Sequence, residues 1–359
     1  MIEIDGAVGE AGGQIIRTAV GLSAATGKPC RIFNIRAGRP KPGLMAQHLT
    51  GVQAVARLCN AEVEGAVLWS KELTFKPGKI KAGEFRFDVQ TAGSVSLVLQ
   101  SLLVPAIAAP GPLVFGIKGG TDVAWSPSMT YFQNILACWL AKMGVGIKTE
   151  IIKYGFYPAG GGHVRVEISP PKQLAPLALT ARGKLNRISI HSLASEQLKK
   201  AKVAERQLEA AKRILTAIPS ITRASIHEEI KYVQTLSPGS SLQSCAEFEN
   251  CRLGAGVVGE RGKRAEQVGE EAAELLKRQL GTAACVDRWA ADQLLPFVAL
   301  AVEQGPSELS IAEITNHCLT NIGVIESFLP VKFEVVGKRG EPGAINCHAK
   351  GKSDKMEGT

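Results

Sequence analysis

Along its first 170 residues the chain alternates between short β-rich stretches and longer stretches whose apolar residues recur three or four positions apart. The first texture suits half-buried strands, and the second suits helices packed on them. Ile2 to Asp5, Cys30 to Ile35, Glu62 to Leu68, Glu72 to Lys76, Glu84 to Val89, Leu113 to Lys118, Val145 to Ile152 and His163 to Ile168 read as strands. Gln14 to Ala25, Leu44 to Asn60, Ser94 to Ala108 and Ser128 to Met143 read as helices. Gly27 is placed to stop the first helix and Ser94 to cap the third. Twice an apolar helix meets a small residue and then a strand, at Asn60-Ala61-Glu62-Val63 and at Gly144-Val145-Gly146-Ile147. That recurrence is a faint mark of repeated α/β units.

The texture changes near Ser169-Pro170-Pro171. From Leu185 to Leu280 two charged helices are predicted, at Glu196 to Ala217 and Gly262 to Leu280, with strands at Ala224 to Val233 and Ser241 to Glu249 between them. A β-α-β-β-α order is enough for a small α+β unit. After Gly281 the apolar pattern returns: a helix from Trp289 to Val302, a strand at Glu308 to Ala312, a helix at Leu319 to Ser327 and a strand at Val331 to Val336. The expected organisation is a core of residues 1–184 and 281–337, interrupted by an insert of residues 185–280. Glycine, lysine and glutamate then dominate, and residues 338–359 read as a frayed tail.

Composition narrows the partners. The 359 residues are 45% hydrophobic and 21% charged, as in a soluble globular protein. A net charge of +9 suits an acidic partner such as nucleic acid. Aromatics at 5% argue against a broad base-stacking surface. Eight scattered cysteines contain no C-x-x-C pair, which points to free thiols in a reducing, cytoplasmic setting. Met1 to Asp5 lacks the pattern of a secretory leader. The longest apolar run, Leu97 to Ala109, is short for a bilayer and holds Gln100 and Pro105, so no membrane partner is expected.

The candidate chemistry lies in a few segments. Ile35-Arg36-Ala37-Gly38-Arg39-Pro40-Lys41-Pro42-Gly43-Leu44 places three cations ahead of a helix that begins with Gln47-His48 nearby. Free backbone N–H groups at a helix start already favour anions, and Arg matches phosphate oxygens, so phosphate is the leading ligand. Gly9-Glu10-Ala11-Gly12-Gly13-Gln14-Ile15-Ile16-Arg17 sets a carboxylate in a tight turn with an Arg one helical turn inside. It is no Walker A loop, and Glu10 is a candidate ligand for a hard metal. Gln100 is a polar residue on an apolar helix and must find a partner if buried. Trp289-Ala290-Ala291-Asp292-Gln293 can cradle a base or sugar, or simply start a helix. His317 lies at a strand-to-helix junction, where a neutral imidazole can act as nucleophile or base. Each also has an ordinary reading: a solvated basic turn, a structural glycine turn, a hydrogen-bonded core Gln or His.

As an ordered set, these segments resemble the RNA 3′-terminal phosphate cyclase family, together with Gly155-Phe156-Tyr157-Pro158-Ala159-Gly160-Gly161-Gly162 and His317-Cys318-Leu319-Thr320-Asn321-Ile322. The resemblance runs from Asp5-Gly6 to the strand after Phe328-Leu329-Pro330. It implies an α+β fold of repeated helices on four-stranded sheets, as in the cyclase and enolpyruvyl-transferase superfamily, with a small α+β insert. It also implies ligase-type nucleotidyl transfer. A histidine takes AMP from ATP and releases pyrophosphate. The adenylate passes to an RNA 3′-terminal phosphate, and the 2′-OH displaces AMP to close a 2′,3′-cyclic phosphate. Carried onto this sequence, His317 is the nucleophile and Glu10 the contact for a divalent metal, Mg or Mn. Gln100, Pro127, Tyr131, Trp289, Asp292 and Gln293 belong to the nucleotide pocket. Arg17, Arg36, Arg39, Gln47 and His48 hold the RNA phosphate. Ala11 stands where glycine is frequent in the family, and Trp289 where tyrosine is common. The alternatives are a non-catalytic cyclase-like RNA-binding protein of ribosome maturation, which would lack the histidine, and an enolpyruvyl transferase, which rests on fold analogy alone.

Overall fold

A computed structural model describes residues 1–219, 221 and 226–351. Alternating burial makes β1 (Ile2–Asp5), and a glycine-rich turn leads into α1 (Gly13–Thr26), which Gly27 ends at φ 70°. β2 (Cys30–Phe33) and α2 (Ala46–Cys59) follow, and α2 stops where Asn60 turns left-handed at φ 51°. β3 (Glu62–Glu64) and β4 (Leu73–Lys76) complete a sheet ordered β1-β2-β4-β3. Only β1 and β2 are parallel in it.

The same plan recurs. β5 (Gly83–Asp88), α3 (Val95–Ala106) and β6 (Leu113–Gly119) lead to a helical stretch of α4 (Met129–Tyr131), a π turn (Phe132–Leu136) and α5 (Ala137–Lys142). β7 (Gly146–Lys153) and β8 (Gly162–Ser169) then give the order β5-β6-β8-β7, with β5 and β6 parallel. As expected, Ser94 caps α3, its Oγ accepting from the Leu97 N–H at 3.3 Å. Gly144, at φ 93°, occupies the same place in this unit as Asn60 in the first. So the two helix stops noticed in the sequence are equivalent points of a repeat.

A third copy begins with the two-residue strand β9 (Ala178–Leu179) and is then interrupted. β10 (Leu185–Ser195), α6 (Val203–Leu215), β11 (Ile226–Val233), β12 (Ser240–Phe248), β13 (Arg252–Val258) and α7 (Ala265–Leu280) come between. The copy resumes with α8 (Ala290–Leu300), β14 (Ser307–Ile311), α9 (Asn316–Phe328), β15 (Val331–Val336) and β16 (Gly343–Ala349). Its sheet, β15-β16-β14-β9, repeats the earlier order, with β9 and β14 parallel. The interrupting segment forms its own sheet, β11-β10-β12-β13, under α6 and α7. Its core of Ile188, Leu208, Leu242, Leu253 and Leu276 is separate from the main one, and Phe248 and Trp289 pack against both.

Three expectations change. The insert contains a further strand, β13, hidden because Gly254 and Gly256 break a strand reading; a Cβ on Gly254 would fall 2.6 Å from Ile135 Cγ1, so the glycine permits close approach to the core. The helix expected from Glu196 begins as a 3₁₀ turn (Glu196–Ala201), and α6 starts only after Lys202 turns left-handed. The expected tail is in part a central strand: β16 pairs with both β14 and β15 and buries Ile345 and Cys347. The alternation Ile345-Asn346-Cys347 was the signal, obscured by the surrounding glycine, lysine and glutamate. Residues 352–359 of that tail, and the start of the strand expected from Ala224, lie outside the described residues. Among the described residues no helix is long and apolar enough to cross a membrane. All eight cysteines are free thiols.

Candidate active site

The singled-out side chains meet where helices of the first and third units begin. α1 packs on α9, and α9 on α8. Glu10 lies in the turn before α1, Asp292 in the first turn of α8, and His317 in the first turn of α9. Thr315 caps α9 by accepting from the Cys318 N–H at 3.1 Å.

A chain of hydrogen bonds links them. His317 Nδ1 lies 2.6 Å from Gln14 Oε1, and Gln14 Nε2 donates to Asp292 Oδ2 at 2.6 Å. Because the Gln14 amide nitrogen is committed to a carboxylate, its oxygen faces the ring, and Nδ1 carries the proton. That leaves Nε2 as the basic nitrogen. It lies 2.8 Å from Glu10 Oε2, and the same carboxylate oxygen is 3.7 Å from Arg39 Nη2. Asn321 Nδ2 donates to the Asp292 backbone carbonyl at 2.7 Å. Next in sequence, Gln293 accepts from Gln100 Nε2 at 2.7 Å and donates to the Trp289 carbonyl at 2.5 Å. Gln100 thus finds the partner its place on an apolar helix required.

The electrostatics favour an uncharged imidazole. Burial pushes His317 below its ordinary value; Glu10 pulls the other way, while Arg17, Arg39 and Arg288 add to the lowering. Burial pushes Asp292 up to about 7 against the pull of Arg17. Burial also lowers Arg17 to about 10, with Asp292 opposing.

The remaining candidate residues make contacts of their own. Arg36 folds back on its own loop, Nη1 donating to the Lys41 and Gly43 carbonyls at 2.8 and 3.1 Å. His48 is buried; its Nδ1 accepts from the Met45 N–H at 3.2 Å, which caps α2. Burial, then Arg17 and Arg36, push His48 down to about 3, so it brings no charge to a phosphate near neutral pH. Gln47 Oε1 accepts from the Ser94 N–H at 3.5 Å. The Pro127 carbonyl accepts from Ser96 Oγ at 2.6 Å. Tyr131 is buried, and its hydroxyl donates to Asp287 Oδ1 at 2.7 Å.

The structure therefore brings Glu10, Arg39, His317 and Asp292 together, with Gln100, Gln293 and Trp289 alongside. Tyr131 reaches this group only through Asp287. Two residues were not singled out in the sequence. Gln14, a polar residue in the first turn of an apolar helix, was the available signal for one. Asp287 is the other: buried and pushed up to about 6 by that burial, it accepts from the backbone N–H groups of Trp289, Ala290 and Gly254. An Asp three residues before the first helical residue, ahead of an apolar run, is the signal for such a cap.

Glu10 offers one carboxylate, and among the described residues no three His, Cys, Asp or Glu side chains gather to hold a metal. A single carboxylate fits magnesium, which keeps several waters and is commonly held by one or two carboxylates. It does not fit zinc, which needs several protein ligands.

Residues 8–335 match the family described as RNA 3′-terminal phosphate cyclase. Proteins of that name from Methanopyrus kandleri, Pyrococcus furiosus and Caldivirga maquilingensis are 45%, 43% and 46% identical to this chain. The matches cover 98%, 96% and 94% of this chain and 99%, 98% and 95% of theirs.

Proposed function

Because the chain belongs to the RNA 3′-terminal phosphate cyclase family, we propose that it is an ATP-dependent enzyme that converts an RNA 3′-terminal phosphate into a 2′,3′-cyclic phosphate. His317 Nε2 attacks the α-phosphorus of ATP; the bond to the β-phosphate oxygen breaks and pyrophosphate leaves. An oxygen of the RNA 3′-phosphate then attacks the histidinyl-AMP phosphorus and releases the imidazole. Finally the 2′-OH attacks the terminal RNA phosphorus, AMP leaves, and the hydroxyl proton passes to solvent. Splitting the reaction in this way makes AMP a good leaving group.

The observation that carries this reading is the orientation of one ring. Gln14 holds Nδ1, which leaves Nε2 as the nitrogen that can attack. Burial pushes the ring toward its neutral form, in which Nε2 has a free lone pair once Glu10 has moved away. Glu10 must leave Nε2 for attack, and its carboxylate is then free to hold a divalent ion, Mg or Mn, which supplies positive charge against the phosphates. Gln100, Pro127, Tyr131, Trp289, Asp292 and Gln293 form the nucleotide side. Arg17, Arg36, Arg39, Gln47 and His48 form the RNA-phosphate side, with Arg39 between the two. The eight free thiols are in keeping with the cytoplasm.

Incubation with α-labelled ATP and magnesium, followed by denaturation, tests the first step. Acid-labile label is expected on the wild type and none on His317→Ala. Arg39→Ala should keep self-adenylation and lose transfer to RNA. A wild type that retains no label would leave a binding role instead.

A further inference from the structure

The second sheet carries a charged row that the catalytic cluster does not use. Lys118 on β6 is the cross-strand partner of His163 on β8, and His163 is the partner of Lys153 on β7. Both lysines are exposed and His163 is half-buried. Neither lysine side chain has an ion-pair or hydrogen-bond partner among the described residues. The register makes this row deliberate: Ile151 pairs with Val164, but Lys153 rather than Ile152 pairs with His163, so one extra residue on β7 brings a cation into the row. Such irregularities re-aim side chains.

The row lines a cleft of about 500 Å³. Asp88, Gln90 and Gly161 line it as well. Asp88 is its one carboxylate; it sits opposite Lys118 in register, and its Oδ1 accepts from the Gln90 N–H at 2.8 Å. The loop that walls this cleft also reaches Gln47. The cleft wall at residues 90–91 runs on to Gly93, where a Cβ would touch Gln47 Cβ at 3.3 Å, and to Ser94, whose N–H meets Gln47 Oε1.

We propose that Lys118, His163 and Lys153 form a second RNA contact, binding backbone phosphates of the substrate upstream of its 3′ end. This rests on the RNA-cyclase reading above. A polynucleotide whose terminal phosphate lies near Gln47 meets this row next as it leaves the site. The flexible ammonium groups suit phosphodiesters without base selection.

The test compares Lys118→Ala, Lys153→Ala and the double variant on a 3′-phosphorylated dinucleotide and on a long single-stranded 3′-phosphorylated oligoribonucleotide. The double variant should raise KM several-fold for the long substrate only, with kcat and self-adenylation unchanged. The salt dependence of its KM should flatten by about 0.7 in logarithmic slope for each lysine removed. Lys→Arg at both positions should restore binding of the long substrate. An unchanged KM and salt slope, or an equal loss on the dinucleotide, would overturn the proposal. Wild-type protein that neither takes label from ATP nor cyclises either substrate would instead sink the parent reading, whatever the lysine variants do.

Discussion

At the scale of single residues, the site joins groups far apart in sequence through contacts of one atom each. Gln14 is the hub, since it fixes the His317 ring and supplies the Asp292 carboxylate with a donor. Asp292 is strained by that position. Burial pushes its carboxyl up to about 7, well above the ordinary 3.8, so the folded state binds the proton more tightly than the unfolded chain. The resulting stability is complete below about pH 4 and is lost as pH rises through about 7. A shift of that size is worth on the order of 4 kcal/mol. Asp292→Asn should therefore raise the thermal midpoint at pH 8 and leave it nearly unchanged at pH 4, while slowing self-adenylation. Calorimetry at the two pH values measures the first effect. The sequence made Glu10, Asp292 and His317 candidates because each sits at or just before an expected helix start. Gln14 was not legible as the hub, because what it touches depends on two helices that only the fold brings near.

Elements were read well wherever turn chemistry was local. The stops at Gly27 and Asn60 and the cap at Ser94 act within a few residues, and the structure shows each. Elements failed to show where their reason is distant. Gly254 looks like a strand breaker until Ile135 is seen against it. The starts of α1 and α2 are joined in a similar way: Gly13, the first residue of α1, has no room for a side chain because His48 Nε2 occupies the space where a Cβ would go. Gly13→Ala should displace His48, uncap α2 and destabilise the protein by about 1–3 kcal/mol. Adding His48→Ala should recover much of that loss by making room, although transfer to RNA stays impaired. Denaturant midpoints of the two variants and the wild type decide this.

At the scale of the whole molecule, three βαβαββ units recur, and helices of the first and third begin around one site. The sequence hinted at this only through two small residues after helices. The third unit hid itself, because an insert splits it after its first strand and its last strand lies in a stretch of tail-like composition. β16 is paired on both sides, so its loss would leave β14 and β15 unjoined. A chain ending at residue 342 should lose the third sheet, become sensitive to limited proteolysis and take no label from ATP, even though it retains His317.

The split also has a temporal side. β9 finds its partner β14 only after more than a hundred intervening residues have been made, the Leu177 N–H bonding Ser307 Oγ across 130 positions of sequence. Closing so long a loop costs chain entropy that only the finished sheet offsets. During synthesis the first two sheets can settle early, while β9 must wait for β14 to emerge from the ribosome. A nascent chain would then hold its basic loop folded well before His317 is made.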